Sequence, residues 1–118
     1  MVKKYLEKLT ELIYQIPPKK FNGIKLETKH FFSGAAVYAN GNICISLTPI
    51  GFAIKLPEAL RNDLMKQRGV KQLRYFSKGH IKKEYIVLPK RIVDDKKILR
   101  KLIKKSFEYV LSIKNKPN

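Results

Sequence analysis

The sequence predicts an α+β fold with two layers, in which helices cover one face of a largely antiparallel five-stranded sheet. Asn40-Gly41 lies between two apolar runs, a pattern typical of a β-hairpin. Three other segments carry apolar residues at the three- and four-residue spacing of a helix. The predicted element order is α-β-β-β-α-β-β-α. Because each helix has a single apolar stripe, we expect all three to pack on one face and to leave the other partly open.

The hairpin belongs to a predicted three-strand meander over residues 31–56. Asn40 and Gly41 both tolerate the positive φ that a two-residue type I′ turn needs, and such a turn sets the strand register. The pairs expected on the helix-covered side are Tyr38–Ile43, Ala36–Ile45 and Gly34–Leu47. The pairs expected on the more exposed side are Val37–Cys44, Ala35–Ser46 and Ser33–Thr48. The third strand, Phe52 to Leu56, directs Phe52, Ile54 and Leu56 to one side and Ala53 and Lys55 to the other.

The remaining elements follow from periodicity and from breaker residues. The first helix is predicted over residues 2–16, where Pro17-Pro18 ends it. The second begins at Pro57 and runs to about Arg68, with Gly69 as its C-cap. The predicted strand pair is Gln72–Phe76 and Lys83–Leu88, and residues 24–28 could add a short edge strand. The last helix, about Asp94 to Ile113, has Asp94 or Asp95 as its cap. Its predicted buried stripe is Ile98, Leu99, Leu102, Ile103, Ser106, Phe107 and Val110.

Composition restricts the class of protein. With 118 residues, 44% hydrophobic, we expect one domain over residues 1–118 with a frayed tail from residue 114, and no second domain. One cysteine excludes an internal disulfide framework. No apolar run approaches the roughly 20 residues of a membrane span, and the charged N-terminus does not resemble a signal peptide. We therefore expect a cytoplasmic protein without membrane contact.

The charge balance is strongly basic, with 26 Lys and Arg against nine Asp and Glu, a formal net charge of +17. Such a charge attracts polyanions at low salt. The alternative interpretation is a solvated Lys-rich surface without a polyanionic partner. Two surfaces are candidates for polyanion binding: one face of the last helix and the open face of the sheet. The residues are Lys97, Arg100, Lys101, Lys104 and Lys105 on the helix, and Lys55 and Arg74 on the sheet, where Tyr75 or Phe76 could stack bases.

No pattern predicts an enzyme. Cys44 lies mid-strand, where a small core residue is the simpler explanation than a reactive thiol. His30 and His80 have no carboxylates or cysteines at ligand spacing, so we expect neither a metal site nor a cofactor. Asp94-Asp95 is explained by helix capping. A small enzyme or ligand-binding protein would need a concave pocket, and it ranks last among the function classes.

Several short segments occur in a familiar order. They are Phe32-Ser33-Gly34, Val37-Tyr38, Asn40-Gly41 and Ile43 to Leu47, followed by Phe52 to Leu56, Gly69, Leu73-Arg74-Tyr75, Gly79, Tyr85, Pro89, Phe107 and Tyr109. Over nearly the whole chain this order resembles the TfoX (Sxy) N-terminal domain family. Ser33 departs from the family pattern, which usually has Phe-Gly-Gly at this point, although Gly34 is retained.

The resemblance implies a two-layer α/β domain from a family whose best-known members regulate natural competence. It implies a non-enzymatic regulatory domain that acts through protein partners. The alternative is a nucleic-acid-binding protein that uses the basic face of the last helix. The open sheet face also allows a homodimer, since twofold dimers are the commonest closed assembly.

Overall fold

Six strands form one antiparallel sheet in a computed structural model that describes residues 2–14, 24–74 and 79–114. The strands are β1 (Leu26–Phe31), β2 (Gly34–Ala39), β3 (Asn42–Thr48), β4 (Gly51–Lys55), β5 (Lys71–Leu73) and β6 (Lys82–Leu88). Their order across the sheet is β1-β2-β3-β4-β6-β5. This arrangement confirms the predicted α+β class, with six strands in place of five.

The helices among the described residues are α1 (Val2–Tyr14), α2 (Glu58–Met65), α3 (Lys90–Val93) and α4 (Lys96–Lys114). The two long helices cover the centre of the sheet, with α1 on β1 to β3 and α4 on β2 to β4, while α2 packs against β6. Leu9 of α1 and Phe107 of α4 are fully buried in one cluster with Ile45 and Ile54 of the sheet. This cluster is the main core. The predicted end of the first helix, at Ile16 and Pro17-Pro18, lies outside the described residues.

The sixth strand, β1, extends the short edge strand that residues 24–28 suggested. Its sequence, LETKHF, is mostly polar, so periodicity alone gives a weak signal. Asn40 holds the start of this strand from the neighbouring turn: its side-chain Oδ1 accepts a hydrogen bond from the Lys25 N–H, and its own N–H donates to the Lys25 carbonyl, each at 2.8 Å. The turn residue therefore organises three strands instead of two.

The predicted hairpin register is correct only next to the turn. Asn40 and Gly41 have φ values of 50° and 84°, as a type I′ turn requires, and Tyr38 pairs with Ile43. A β-bulge then shifts the register, so that Val37 pairs with Ile45 and Cys44 is the extra residue. The predicted partners and faces beyond the turn were therefore wrong. On β2, Ala35 and Val37 belong to the main core under the helices, whereas Tyr38 and Ala36 lie on the opposite face.

One predicted helix boundary also changes. Helix α2 ends at Met65 rather than near Arg68, because the Lys66 and Gln67 N–H groups bond to carbonyls three residues back and tighten the chain into turns. Gly69, with φ of 87°, still takes the left-handed conformation predicted for it. Helix α4 is capped by Asp95, whose Oδ1 accepts the Ile98 N–H at 3.2 Å. Ile98 itself is 44% exposed, so its predicted place in the buried stripe was wrong.

The second strand pair is β5 and β6, and β5 is shorter than predicted. It ends at Leu73, and Tyr75 and Phe76 lie outside the described residues, as does the tail after Lys114. Within the described ranges, none of the helices has the length and apolar character needed to cross a bilayer. The same residues contain no cluster of three or more His, Cys, Asp or Glu side chains that could hold a metal ion.

Candidate binding groove

A concave apolar site lies on the sheet face opposite the helices. We call it the sheet-face groove, and its volume is about 510 Å³. It is lined by Phe31, Phe32, Ile43, Gly79, His80, Lys82 and Tyr85. Ile43 and Tyr85 also belong to a second hydrophobic cluster with Ala53, Leu73 and Val87, separate from the main core. Sites that bind ligands typically have volumes of roughly 300–1,000 Å³, so the groove has the size of a binding site.

The alternation of side chains along two strands explains the position of the groove. On β4, Phe52 and Ile54 face the helices, and Ala53 between them contributes a small residue to the other face. Tyr85 of β6 pairs opposite Lys55 of β4 and is only 9% exposed, so its ring forms the floor. Tyr85 and Ile43 therefore lie on the same face of the sheet, where both line the groove.

Phe32 forms the most exposed part of the groove. It lies in the two-residue connection between β1 and β2 with φ of 51°, a conformation that is unusual for a bulky residue. Its side chain is 66% exposed, and its ring centroid is 4.5 Å from that of Phe31 with an interplanar angle of 54°. Residues held in sparsely populated backbone regions are concentrated at functional sites. The turn therefore directs a large apolar ring into solvent beside a concave apolar surface.

A second and smaller cleft lies between α2 and β6. Its volume is about 130 Å³, and its lining includes Arg61, Gln72 and Ile86. This volume is below the range that is usual for ligand sites. The sheet-face groove is therefore the stronger candidate of the two.

The basic face of α4 lies on the outer side of that helix, away from the sheet. Lys97, Arg100, Lys101 and Lys105 are exposed, whereas Lys104 is half-buried. Glu108 shares this face, and its carboxylate lies 3.9 Å from the Lys105 Nζ. The helix therefore brings the predicted cations together as a surface stripe, with one acidic residue among them that the sequence prediction did not include.

The two sheet residues predicted for polyanion binding occupy different surroundings. The Lys55 side chain is 16% exposed, and its Nζ lies 3.7 Å from a Glu84 carboxylate oxygen and 5.3 Å from the centre of the Tyr85 ring. The Tyr109 hydroxyl donates to the same carboxylate oxygen at 3.4 Å. Arg74 is exposed and directly follows β5. Lys55 thus contributes to a partly buried cluster with Glu84 and Tyr85, and the α4 cations form a separate surface.

Cys44 is a core residue on the helix side of the sheet. It is fully buried, and burial raises the pKa of its thiol to about 12 because the thiolate would lose its hydration. A backbone hydrogen bond from Ala39 and the positive charge of Lys55 offset only part of that shift. The bulge takes Cys44 out of the strand ladder, and the Ser106 hydroxyl of α4 donates to its carbonyl oxygen at 3.4 Å. Cys44 therefore connects α4 to the sheet through its backbone carbonyl group.

The family model of the TfoX N-terminal domain matches residues 23–109, which is most of the chain. The chain belongs to the TfoX N-terminal domain family. Both the sheet-face groove and the basic face of α4 lie within the matched part of this TfoX N-terminal domain. No curated protein matches the chain. The departure at Ser33 is explained by the structure, because Ser33 is exposed and does not have a positive φ, whereas Gly34 directly contacts the neighbouring strand.

The groove of this TfoX N-terminal domain was missed by the sequence reasoning. The consecutive pair Phe31-Phe32 before a turn is the signal that could have found it, since adjacent residues at a strand end cannot both point into one core. His80 was considered only as a possible metal ligand, and Lys82 was not considered. The α4 cations, in contrast, were predicted correctly as one helix face.

Proposed function

We propose that this TfoX N-terminal domain is a non-enzymatic regulatory domain that binds a protein partner at the sheet-face groove. The observation that carries the proposal is the exposure of Phe32 at the edge of a concave apolar surface. Burying a large apolar side chain completely is worth about 1.5–3 kcal/mol. A bound partner can supply the part of this free energy that corresponds to the exposed 66% of Phe32. Buried aromatic anchors provide much of the binding energy in protein interfaces.

The shape of the groove supports a protein partner over a single-stranded nucleic acid. Bases bind most readily to open aromatic faces that they can stack on one after another. Tyr85 is nearly buried at the floor, and the Phe31 and Phe32 rings contact each other at an angle of 54°. A hollow with these rings is better suited to an inserted side chain than to a stack of bases.

Photo-crosslinking tests the partner site directly. With p-benzoylphenylalanine at position 32 in the cells that produce the protein, we expect one or a few discrete crosslinked proteins. The same amino acid at position 98 is the matched control, because Ile98 is also an exposed apolar residue but lies on α4. With the purified crosslinked partner, Phe32→Ser should weaken binding at least about tenfold, which corresponds to about 1.4 kcal/mol, and Ile98→Ser should leave it unchanged. Equal crosslinking at both positions would contradict the proposal.

A second candidate function is nucleic-acid binding through the basic face of α4. The observation in its favour is the stripe of exposed cations at Lys97, Arg100 and Lys101 on one side of a 19-residue helix. Phosphate contacts made by such a stripe release counterions, so affinity should decrease steeply as salt increases.

The salt dependence of DNA and RNA binding tests this second function. Replacing Lys97, Arg100 and Lys101 with Gln should reduce the slope of log affinity against log salt by about two to three units, since each lost phosphate contact removes roughly 0.7–0.9. A control variant with Gln at Lys66, Arg68 and Lys71 removes the same charge from another exposed surface. If both variants lower the slope equally, the net charge of +17 and not the α4 face is responsible.

A further inference from the structure

The rim of the groove is basic, and the proposed function has not yet used this feature. Of the seven described residues that line it, none is acidic, and His80 and Lys82 are exposed. We propose that the groove binds an acidic segment of a partner protein that inserts one aromatic or branched apolar side chain. The inference rests on the proposed function and specifies the chemistry of the partner.

The surroundings of the groove extend this positive potential. On β1, the Lys29 ammonium lies over the Tyr38 ring at 5.4 Å, on the open sheet face. Lys25 and Lys29 share the single carboxylate of Glu27, at 4.0 and 3.6 Å, so this part of the face retains a net positive charge. Like charges around an interface disfavour a basic partner, whereas complementary charge also speeds association.

The other occupants fit less well. A second copy of the chain would bring two proteins of net charge +17 together at their open faces, and a charge of this size opposes self-association. A single-stranded nucleic acid would match the charge but not the tilted rings and the buried floor described above. An acidic segment with one anchor matches both: its apolar side chain occupies the hollow over Tyr85, and its carboxylates lie near His80 and Lys82 at the rim.

Selection from a random peptide library tests the inference. We would display 12-residue peptides, select them on the whole chain, and discard those that also bind the Phe32→Ser variant. We expect the retained peptides to share one aromatic or branched apolar residue flanked by Asp or Glu. Backbone amide shifts on titration with a selected peptide should change at Phe32, His80 and Lys82. The charge-reversed variant Lys82→Glu should bind such peptides at least about tenfold more weakly, an effect that added salt diminishes.

Lys66→Glu is the matched control, because Lys66 is exposed on the surface next to α2 and the substitution makes the same change in net charge. It should alter peptide binding less than about twofold, because Lys66 does not line the groove and exposed charges are screened in physiological salt. Peptides that need Phe32 for binding but have neutral or basic flanking residues would overturn the inference that the partner segment is acidic. The groove would still be a protein-binding site in that case. Failure to obtain any peptide that depends on Phe32 would also overturn the inference. The crosslinking at position 32 decides separately whether the proposed function survives.

Discussion

Replacing Gly34 with Ala is expected to destabilise the domain strongly. A β-carbon at position 34 would lie 2.0 Å from the Leu47 carbonyl oxygen and 2.8 Å from the Thr48 α-carbon. Both atoms belong to the backbone of β3, so no side-chain rotation can remove the overlap. β2 and β3 would have to separate at the end of their ladder, where Gly34 begins β2 and Thr48 ends β3. We expect a loss of more than about 4 kcal/mol, a large part of the roughly 5–15 kcal/mol that stabilises a typical domain.

Urea unfolding followed by circular dichroism measures this loss, and Gly41→Ala is its control. Gly41 has φ of 84°, but a β-carbon added there would have no atom within 4 Å, so Ala is strained only by its backbone conformation. That strain costs about 1–2 kcal/mol. A Gly34→Ala protein whose free energy of unfolding lies within about 1 kcal/mol of the wild-type value would contradict the close approach of β2 and β3.

The contrast between these glycines shows which parts of the fold local sequence predicts. Asn40-Gly41 specifies its own turn, because the positive φ of both residues is a property of the two residues themselves. The three predicted helices likewise follow from apolar spacing, and a cap at Asp94 or Asp95 follows from the position of these residues before that spacing begins. Each of these features depends on atoms only a few residues apart in the chain.

Features that depend on distant atoms were not predicted. The bulge at Cys44 is stabilised by Ser106, which is 62 residues away, and nothing in β3 alone requires it. The sequence suggested a short edge strand over residues 24–28, but it did not predict that Asn40, 15 residues after Lys25, aligns β1. Because one bulge shifts every later pair, the faces of Val37 and Ala36 were assigned incorrectly even though both the strand and the turn were right.

Of the two candidate surfaces, one follows from local sequence and the other depends on residues that are distant in the chain. The cations of α4 share a face because of helix periodicity, so their sequence positions were enough to group them. The sheet-face groove brings together residues from β1, β3, the segment that precedes β6, and β6 itself. No local sequence pattern predicts which of their side chains are in contact. Phe32 has one local signal, the Phe31-Phe32 pair before a turn, but its exposure depends on the left-handed φ that only the structure shows.

Replacing Phe107 with Ala is expected to destabilise the domain by about 3–5 kcal/mol. Phe107 is completely buried in the main core, on the side of α4 that faces the sheet. Truncation would remove a whole aromatic ring between rigid strands and one helix, and the sheet cannot move inward to fill the cavity because its strands are fixed by their ladders. The midpoint of thermal unfolding should decrease accordingly, by roughly 4–8 °C per kcal/mol for a domain near this size.

Ile98→Ala on the same helix is the matched control for Phe107→Ala. Ile98 also has an apolar side chain on α4, but 44% of its surface remains exposed. Its truncation removes few core contacts, and we expect a loss below about 1 kcal/mol. Comparable losses for the two variants would mean that α4 is rotated about its axis relative to the described packing. That rotation would also move Lys97 and Lys101 off the outer face, so the pair of variants tests the position of the basic stripe as well as the core.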